Sequence, residues 1–236
     1  MKFKSLVLCI FTFFGFSVYA HAETLIEPRL TIKPGVSHGP YVALTFDACT
    51  GHVDERILRA LIDNNIRSTI FVTARWLKRN PQAIAEIKAY PNLFEVEDHG
   101  ARHVPAIDVP MKVFGLAAAG SSAAVEAEVV GGAEAITVAF GHKPKWFRGA
   151  TGKYTRRSEK QIQSLGFKIA GYSVLGDGGA EFSAHRTAAT ISNAVDGDVI
   201  IAHINQPTKP AGAGVVEGIL KLKAAGFIFL RLQDGV

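Results

Sequence analysis

Two histidines four residues apart stand in the segment Asp98-His99-Gly100-Ala101-Arg102-His103. On a helical turn, side chains at i and i+4 share a face. Two neutral imidazoles held that way can grip one divalent metal, and zinc is the commonest guest of such a pair. Taken alone, His99 and His103 are more often two unconnected polar residues on a loop. The case for chemistry comes from four other polar residues, Asp47, Arg148, Asp177 and His203. Each of these, like the histidine pair, lies at or just after the C-terminal end of a predicted strand. In parallel α/β barrels that edge carries the active site.

The elements that would position them alternate along the chain. Tyr41 to Phe46 is an apolar, strand-like run that ends at Asp47, and Cys49 to His52 is a loop. Asp54 can cap a helix with Ile57, Leu58, Leu61 and Ile62 on one stripe, ending near Asn64-Asn65. Arg67 to Val72 is the next strand. Asn80-Pro81 reads as a cap followed by proline at the first helical position, with Ala83, Ile84 and Ile87 as the buried face. Leu93 to Glu97 is a short strand running into the histidine pair. After a long loop, Ser122 to Ala139 reads as a helix with a Gly131-Gly132 flaw in its middle, costing about 1 kcal/mol per glycine relative to alanine. Lys145 to Phe147 is a strand ending at Arg148, Thr155 to Leu165 a helix, and Phe167 to Val174 a single strand leading to Asp177. Thr187 to Val195 is a helix, Asp198 to Ala202 a strand ending at His203, Val215 to Ala225 a helix, and Phe227 to Leu232 the last strand. The β, α, β, α order argues for a parallel sheet with helices outside it, closed or nearly closed into a barrel, with an open doubly wound sheet as the alternative.

The N-terminus carries Lys2 and Lys4, an apolar run from Leu6 to Ala20 and the small-x-small site Ala20-His21-Ala22. This is the pattern of a signal peptide over residues 1–22, cleaved after Ala22, or after Ala20 as the alternative. The expected protein is therefore exported, periplasmic or secreted, with no membrane span after cleavage. Cys9 falls inside the apolar run and is lost with it, which leaves Cys49 as the single cysteine and no internal disulfide. Residues 23–39, rich in Pro and Gly, form an extended lead-in, and residues 40–236 form one domain with a core to bury. The formal charge of +5 falls on cleavage, since Lys2 and Lys4 leave without any acid. No Lys/Arg block marks a nucleic-acid partner; a mildly basic chain suits an anionic cell-wall polymer, but a solvated surface with no partner is the preferred reading, and nothing bears on oligomeric state.

Thr45-Phe46-Asp47, His99-Gly-Ala-Arg-His103, Phe147-Arg148-Gly-Ala-Thr-Gly152, Asp177 after Tyr172-Ser173-Val174, and Val199-Ile-Ile-Ala-His203, in that order and spacing, resemble the polysaccharide deacetylases of the NodB-like type. The resemblance runs from about Tyr41 to the C-terminus. It implies a distorted (β/α) barrel and a metal-dependent carbohydrate esterase acting on an acetylated polysaccharide. It further implies that His99 and His103 bind the metal and that Asp47 is the general base. His203 would be the general acid, Arg148 would orient and tune Asp47, and Asp177 would hold Arg148 or a neighbour. A Lewis-acid metal polarises an acetamide and acidifies its water, a carboxylate takes the proton and an imidazole supplies one to the nitrogen. The metal together with a backbone N–H in the Gly149-Ala150 loop is expected to stabilise the oxyanion.

The chain departs from the family pattern at Ala48, where a second, metal-binding aspartate usually stands. Three repairs are open, in order of preference. Asp47 can itself complete the set His99, His103, Asp47; a solvent molecule can fill the gap; or Cys49, which strand alternation points the same way as Asp47, can supply a thiolate. The expected function is removal of N-acetyl groups from a GlcNAc-type polymer with zinc. The alternatives are an O-acetyl polysaccharide esterase and a non-catalytic sugar-binding protein on a decayed barrel. His38, His52, His142 and His185 read as surface residues, and Trp146, Tyr154 and Tyr172 as core packing rather than sugar-stacking platforms.

Overall fold

A computed structural model describes residues 24–33 and 39–235. The expected signal peptide lies outside them, as does His38. The chain runs β1 (Tyr41–Ala48), α1 (Glu55–Asp63), β2 (Ser68–Val72), α2 (Ala74–Arg79), α3 (Pro81–Ala89) and β3 (Phe94–Asp98). A small hairpin, β4 (Lys112–Val113) with β5 (Leu116–Ala117), interrupts the long loop before α4 (Ser122–Phe140). Then come β6 (Trp146–Phe147), α5 (Arg156–Ser164), β7 (Lys168–Ile169), β8 (Val174–Leu175), α6 (Ala184–Ser192), β9 (Asp198–His203), α7 (Ala211–Ala224), β10 (Ile228–Leu230) and α8 (Leu232–Gly235).

The main sheet is parallel, in the order β7-β6-β3-β2-β1-β9-β8, with β10 paired to the start of β1. It curls into a half-barrel with the helices outside, so the barrel expectation holds and the open doubly wound alternative does not. Period-two alternation separates the two faces of β1. Val42, Leu44, Phe46 and Ala48 pack outward with Ile57 and Leu61 of α1 and Ile219 of α7. Ala43 packs inward with Phe71, Trp146 and Val199.

The path of the sheet ends at β7 on one side and β8 on the other. The sequence reads 167–174 as one strand, but the chain leaves one edge of the sheet and joins the other within that stretch. Gly171 marks the crossing: a Cβ there would lie 2.1 Å from the Pro28 carbonyl oxygen. The lead-in is thus a strap across the seam. Ile26 bridges Tyr154, the Leu30 N–H bonds the Tyr172 carbonyl, and Thr31 bridges Asp198.

Several local expectations are corrected. Asn80 does not cap α3 with its side chain. Its amide donates to the Gly51 and Trp76 carbonyls and accepts from the Val53 N–H instead. The short helix α2, capped by Thr73, was not evident from periodicity, and α6 and α7 start three and four residues earlier than expected.

Gly131-Gly132 is not a flaw. A Cβ on Gly132 would meet Asp98 Oδ1 at 2.1 Å and the Gly100 carbonyl carbon at 2.7 Å, so the missing side chain lets α4 press against the histidine loop. Gly132→Ala should therefore lose about 1–3 kcal/mol through overpacking rather than gain the ~1 kcal/mol that helix propensity alone predicts. A thermal melt distinguishes the two signs.

Candidate active site

Because the strands are parallel, their C-terminal ends gather at one edge. There β1 and β9 place Asp47 and His203 in register as direct neighbours. His99 follows β3, Arg148 follows β6, and Asp177 follows β8. All five sequence-derived positions, with His103, are assembled at this edge.

The histidine pair does not sit on a helical turn. Gly100 at φ +89° and His103 at φ +65° fold residues 99–103 into a loop that brings the two rings to 5.0 Å between centroids. A positive φ at a histidine is a sparsely populated conformation that persists only where its surroundings impose it. The loop is imposed by Glu128, a buried carboxylate of α4 that sequence reasoning did not single out. Glu128 accepts from the N–H groups of Arg102 (2.8 Å) and Val104 (3.0 Å), while its backbone carbonyl takes the N–H of Ala101. Of the three acids in this mostly apolar helix, Glu126, Glu128 and Glu134, only Glu128 falls on the buried face with Val125, Val129 and Gly132, and that placement was the available signal. Asp98 accepts the Gly100 N–H at 2.8 Å, and burial pushes its carboxyl well above the usual carboxylate range.

His99 is fully buried, and its Nδ1 is bonded to the Arg148 carbonyl. That contact makes Nδ1 the donor and leaves the Nε2 lone pair free for a ligand, the arrangement that orients metal-binding histidines. Nε2 faces Cys49 Sγ at 3.5 Å and Asp47 Oδ2 at 3.7 Å. Ligand atoms of Cys49, His99 and His103 all lie within 4.8 Å of one another, whereas Asp47 stands outside this group of three. The donor set, one sulfur and two imidazole nitrogens, fits zinc or a similar borderline metal. Burial alone would lower the His99 pKa, but Asp47 and Cys49 raise it to about 9, so a metal must displace a proton there.

Arg148 is fully buried, and each of its three guanidinium nitrogens has a partner. Its guanidinium donates to Asp47 Oδ1 (3.0 Å), Thr45 Oγ1 (3.0 Å), and the carbonyls of Ala170 (3.2 Å) and Gly171 (3.0 Å), and it stacks 4.3 Å from the Phe71 ring centre. It therefore ties the β7–β8 crossing to β1 while fixing one oxygen of Asp47. Burial pushes the Asp47 carboxyl up, but the positive charges of His99 and Arg148 outweigh it and hold the group below the usual carboxylate range.

Asp177 holds His203, not Arg148. Its two oxygens lie 3.0 and 3.1 Å from His203 Nδ1, and Oδ2 also accepts the His203 N–H at 2.6 Å. Burial would lower the His203 pKa, but the Asp177 carboxylate outweighs it and raises the pKa well above the ordinary histidine value. The Gly149 N–H donates to the Tyr154 hydroxyl at 2.7 Å, which removes it as an oxyanion donor. Tyr154 and Trp146 are core residues, and His52, His142 and His185 are exposed.

Residues 35–170 match the family model described as polysaccharide deacetylase. The chain belongs to the polysaccharide deacetylase family. Its fold is shared with the peptidoglycan deacetylase PdaC of Bacillus subtilis (TM-score 0.67, 18% identity, 84% of this chain and 90% of that one). It is also shared with a family 4 carbohydrate esterase of Streptomyces lividans in complex with acetate (0.63, 22%, 82% and 93%). A third such structure is BA3943, a CE4 family pseudoenzyme of Bacillus anthracis (0.65, 20%, 85% and 66%). No curated protein matches the chain. No helix among the described residues is long and apolar enough to cross a membrane.

Proposed function

We propose that this family member is an exported, metal-dependent hydrolase that removes N-acetyl groups from a GlcNAc-type polysaccharide of the cell wall or extracellular matrix, with zinc as its metal. The observation that carries the reading is the pairing across β1 and β9. A carboxylate bonded by Arg148 stands in register with an imidazole bonded by Asp177, and His99 Nε2 lies 3.7 Å from the carboxylate. Those are the base and the acid that amide hydrolysis needs, side by side.

A divalent metal, when bound by His99, His103 and a third donor, supplies Lewis acidity and an acidified water. Asp47 takes the proton of the attacking water as its oxygen bonds to the acetyl carbon. Arg148 keeps Asp47 ionised and fixed. His203 delivers its proton to the sugar nitrogen as the carbon–nitrogen bond breaks, so acetate and a free amine leave. Asp177 keeps the His203 Nδ1–H in place, which directs the other nitrogen to the substrate.

An amine leaves poorly without a proton, whereas an ester alkoxide needs less help. His203→Asn is therefore expected to cut acetate release from an N-acetylated chito-oligosaccharide by about 10²–10⁴-fold and release from an O-acetylated xylan by much less. Equal losses on both substrates would contradict the acid role of His203. Ala48 is the one observation in favour of a second reading, sugar binding without turnover, which predicts binding with no acetate from either polymer.

A further inference from the structure

We propose that the Cys49 thiolate is the third protein ligand of the metal, so that the set is Cys49, His99 and His103 and Asp47 is left free to act as base. The inference rests on the metal-dependent reading above and decides among the donors that Ala48 leaves open.

The backbone carries the first argument. Ala48 is fully buried on the outward face of β1, in the apolar cluster between sheet and helices with Val72, Trp76 and Ile204. Its methyl group offers the metal no donor, so the third ligand must come from another residue. The next inward-facing position is Cys49, on the same side as Asp47.

Distance carries the second. A tetrahedral zinc with bonds of about 2.3 Å to sulfur and 2.0–2.1 Å to nitrogen holds those two ligand atoms about 3.5 Å apart. Cys49 Sγ and His99 Nε2 are 3.5 Å apart, with a His103 nitrogen in the same group. Asp47 is held through Oδ1 by Arg148, its Oδ2 lies 3.7 Å from His99 Nε2, and it stands outside the group of three.

The loop that carries Cys49 is also held in place. The Thr73 hydroxyl donates to the Cys49 carbonyl, Arg79 donates to Thr50, and Asn80 ties Gly51 and Val53. A fixed first shell of this kind is what a metal site requires. A sulfur ligand also predicts selectivity for zinc or cobalt over magnesium or manganese.

The full chain is loaded with cobalt(II) and its absorption spectrum recorded. One cobalt per chain with a near-ultraviolet sulfur-to-cobalt charge-transfer band is expected. Asp47→Asn should keep that band. Cys49→Asp should bind cobalt without it. Cys49→Ser should weaken binding by about a hundredfold or more, at or beyond the 10–100-fold that loss of an outer-shell partner costs. Cobalt bound with no such band in the unaltered chain, or bound equally tightly by Cys49→Ser, would overturn the assignment, as would failure of the unaltered chain to take up cobalt. Acetate release is scored separately. A chain that shows the band but releases no acetate from any polymer keeps Cys49 as ligand and overturns the deacetylase reading instead.

Discussion

Asp47→Asn is expected to lower acetate release by about 10²–10⁴-fold, the usual worth of a positioned general base. The substitution is nearly isosteric, and the amide oxygen can still accept from Arg148, whose donors to Thr45, Ala170 and Gly171 are untouched. The barrel should therefore keep its shape, and bound metal should be retained because the three clustered donors do not include Asp47. The loss should fall on kcat with the metal content of the variant unchanged. A variant that loses metal and activity together would show Asp47 to be a ligand rather than the base.

Arg148→Met is expected to have the largest effect on the fold. The guanidinium is fully buried, and its removal leaves the Asp47 carboxylate without its partner and two carbonyls at the β7–β8 crossing without a donor. Breaking a buried ion pair from one side typically costs about 3–5 kcal/mol. The guanidinium charge also holds the Asp47 pKa down, so its loss raises that pKa. The contribution of an ionised, stabilised carboxylate is present above its unfolded pKa and lost as pH falls through the folded value. In the variant, both stability and activity should therefore fail at a higher pH on the acid side than in the unaltered protein. A lysine at 148 keeps the charge but not the planar fork, so it should rescue only part of either effect. Denaturant melts and pH–rate profiles on the three proteins read this out.

How much of this was legible beforehand follows from which contacts are local. The apolar strands β1 and β9 announce themselves, and the ends of β1, β3, β6, β8 and β9 deliver Asp47, the histidine pair, Arg148, Asp177 and His203 to the shared edge, so these residues could be assembled by position alone. Partnerships across strands could not. Asp177 pairs with His203 because β8 lies beside β9, a neighbour relation that chain order does not reveal. The break at Gly171 is imposed by Pro28 from the lead-in and by Arg148 just after β6, both distant in sequence, while Phe167, Ile169, Tyr172 and Val174 of that stretch are good strand formers. The four-residue histidine spacing suggested a helical turn, but Glu128 and the gap at Gly132 mould that segment from α4. Cys49 read as the weakest repair because a free cysteine is usually inert packing, and only the inward turn of its side chain beside His99 raises its standing.

The most direct measurement of the central claim is acetate released from an N-acetylated chito-oligosaccharide before and after chelation, with the metal content of the same sample determined alongside. About one zinc-type metal per chain is expected, with release abolished by chelator, restored by zinc, and both lost in His99→Ala. Release that survives complete metal removal, or a fully loaded protein that yields no acetate from any acetylated polysaccharide, would contradict a metal-dependent deacetylase.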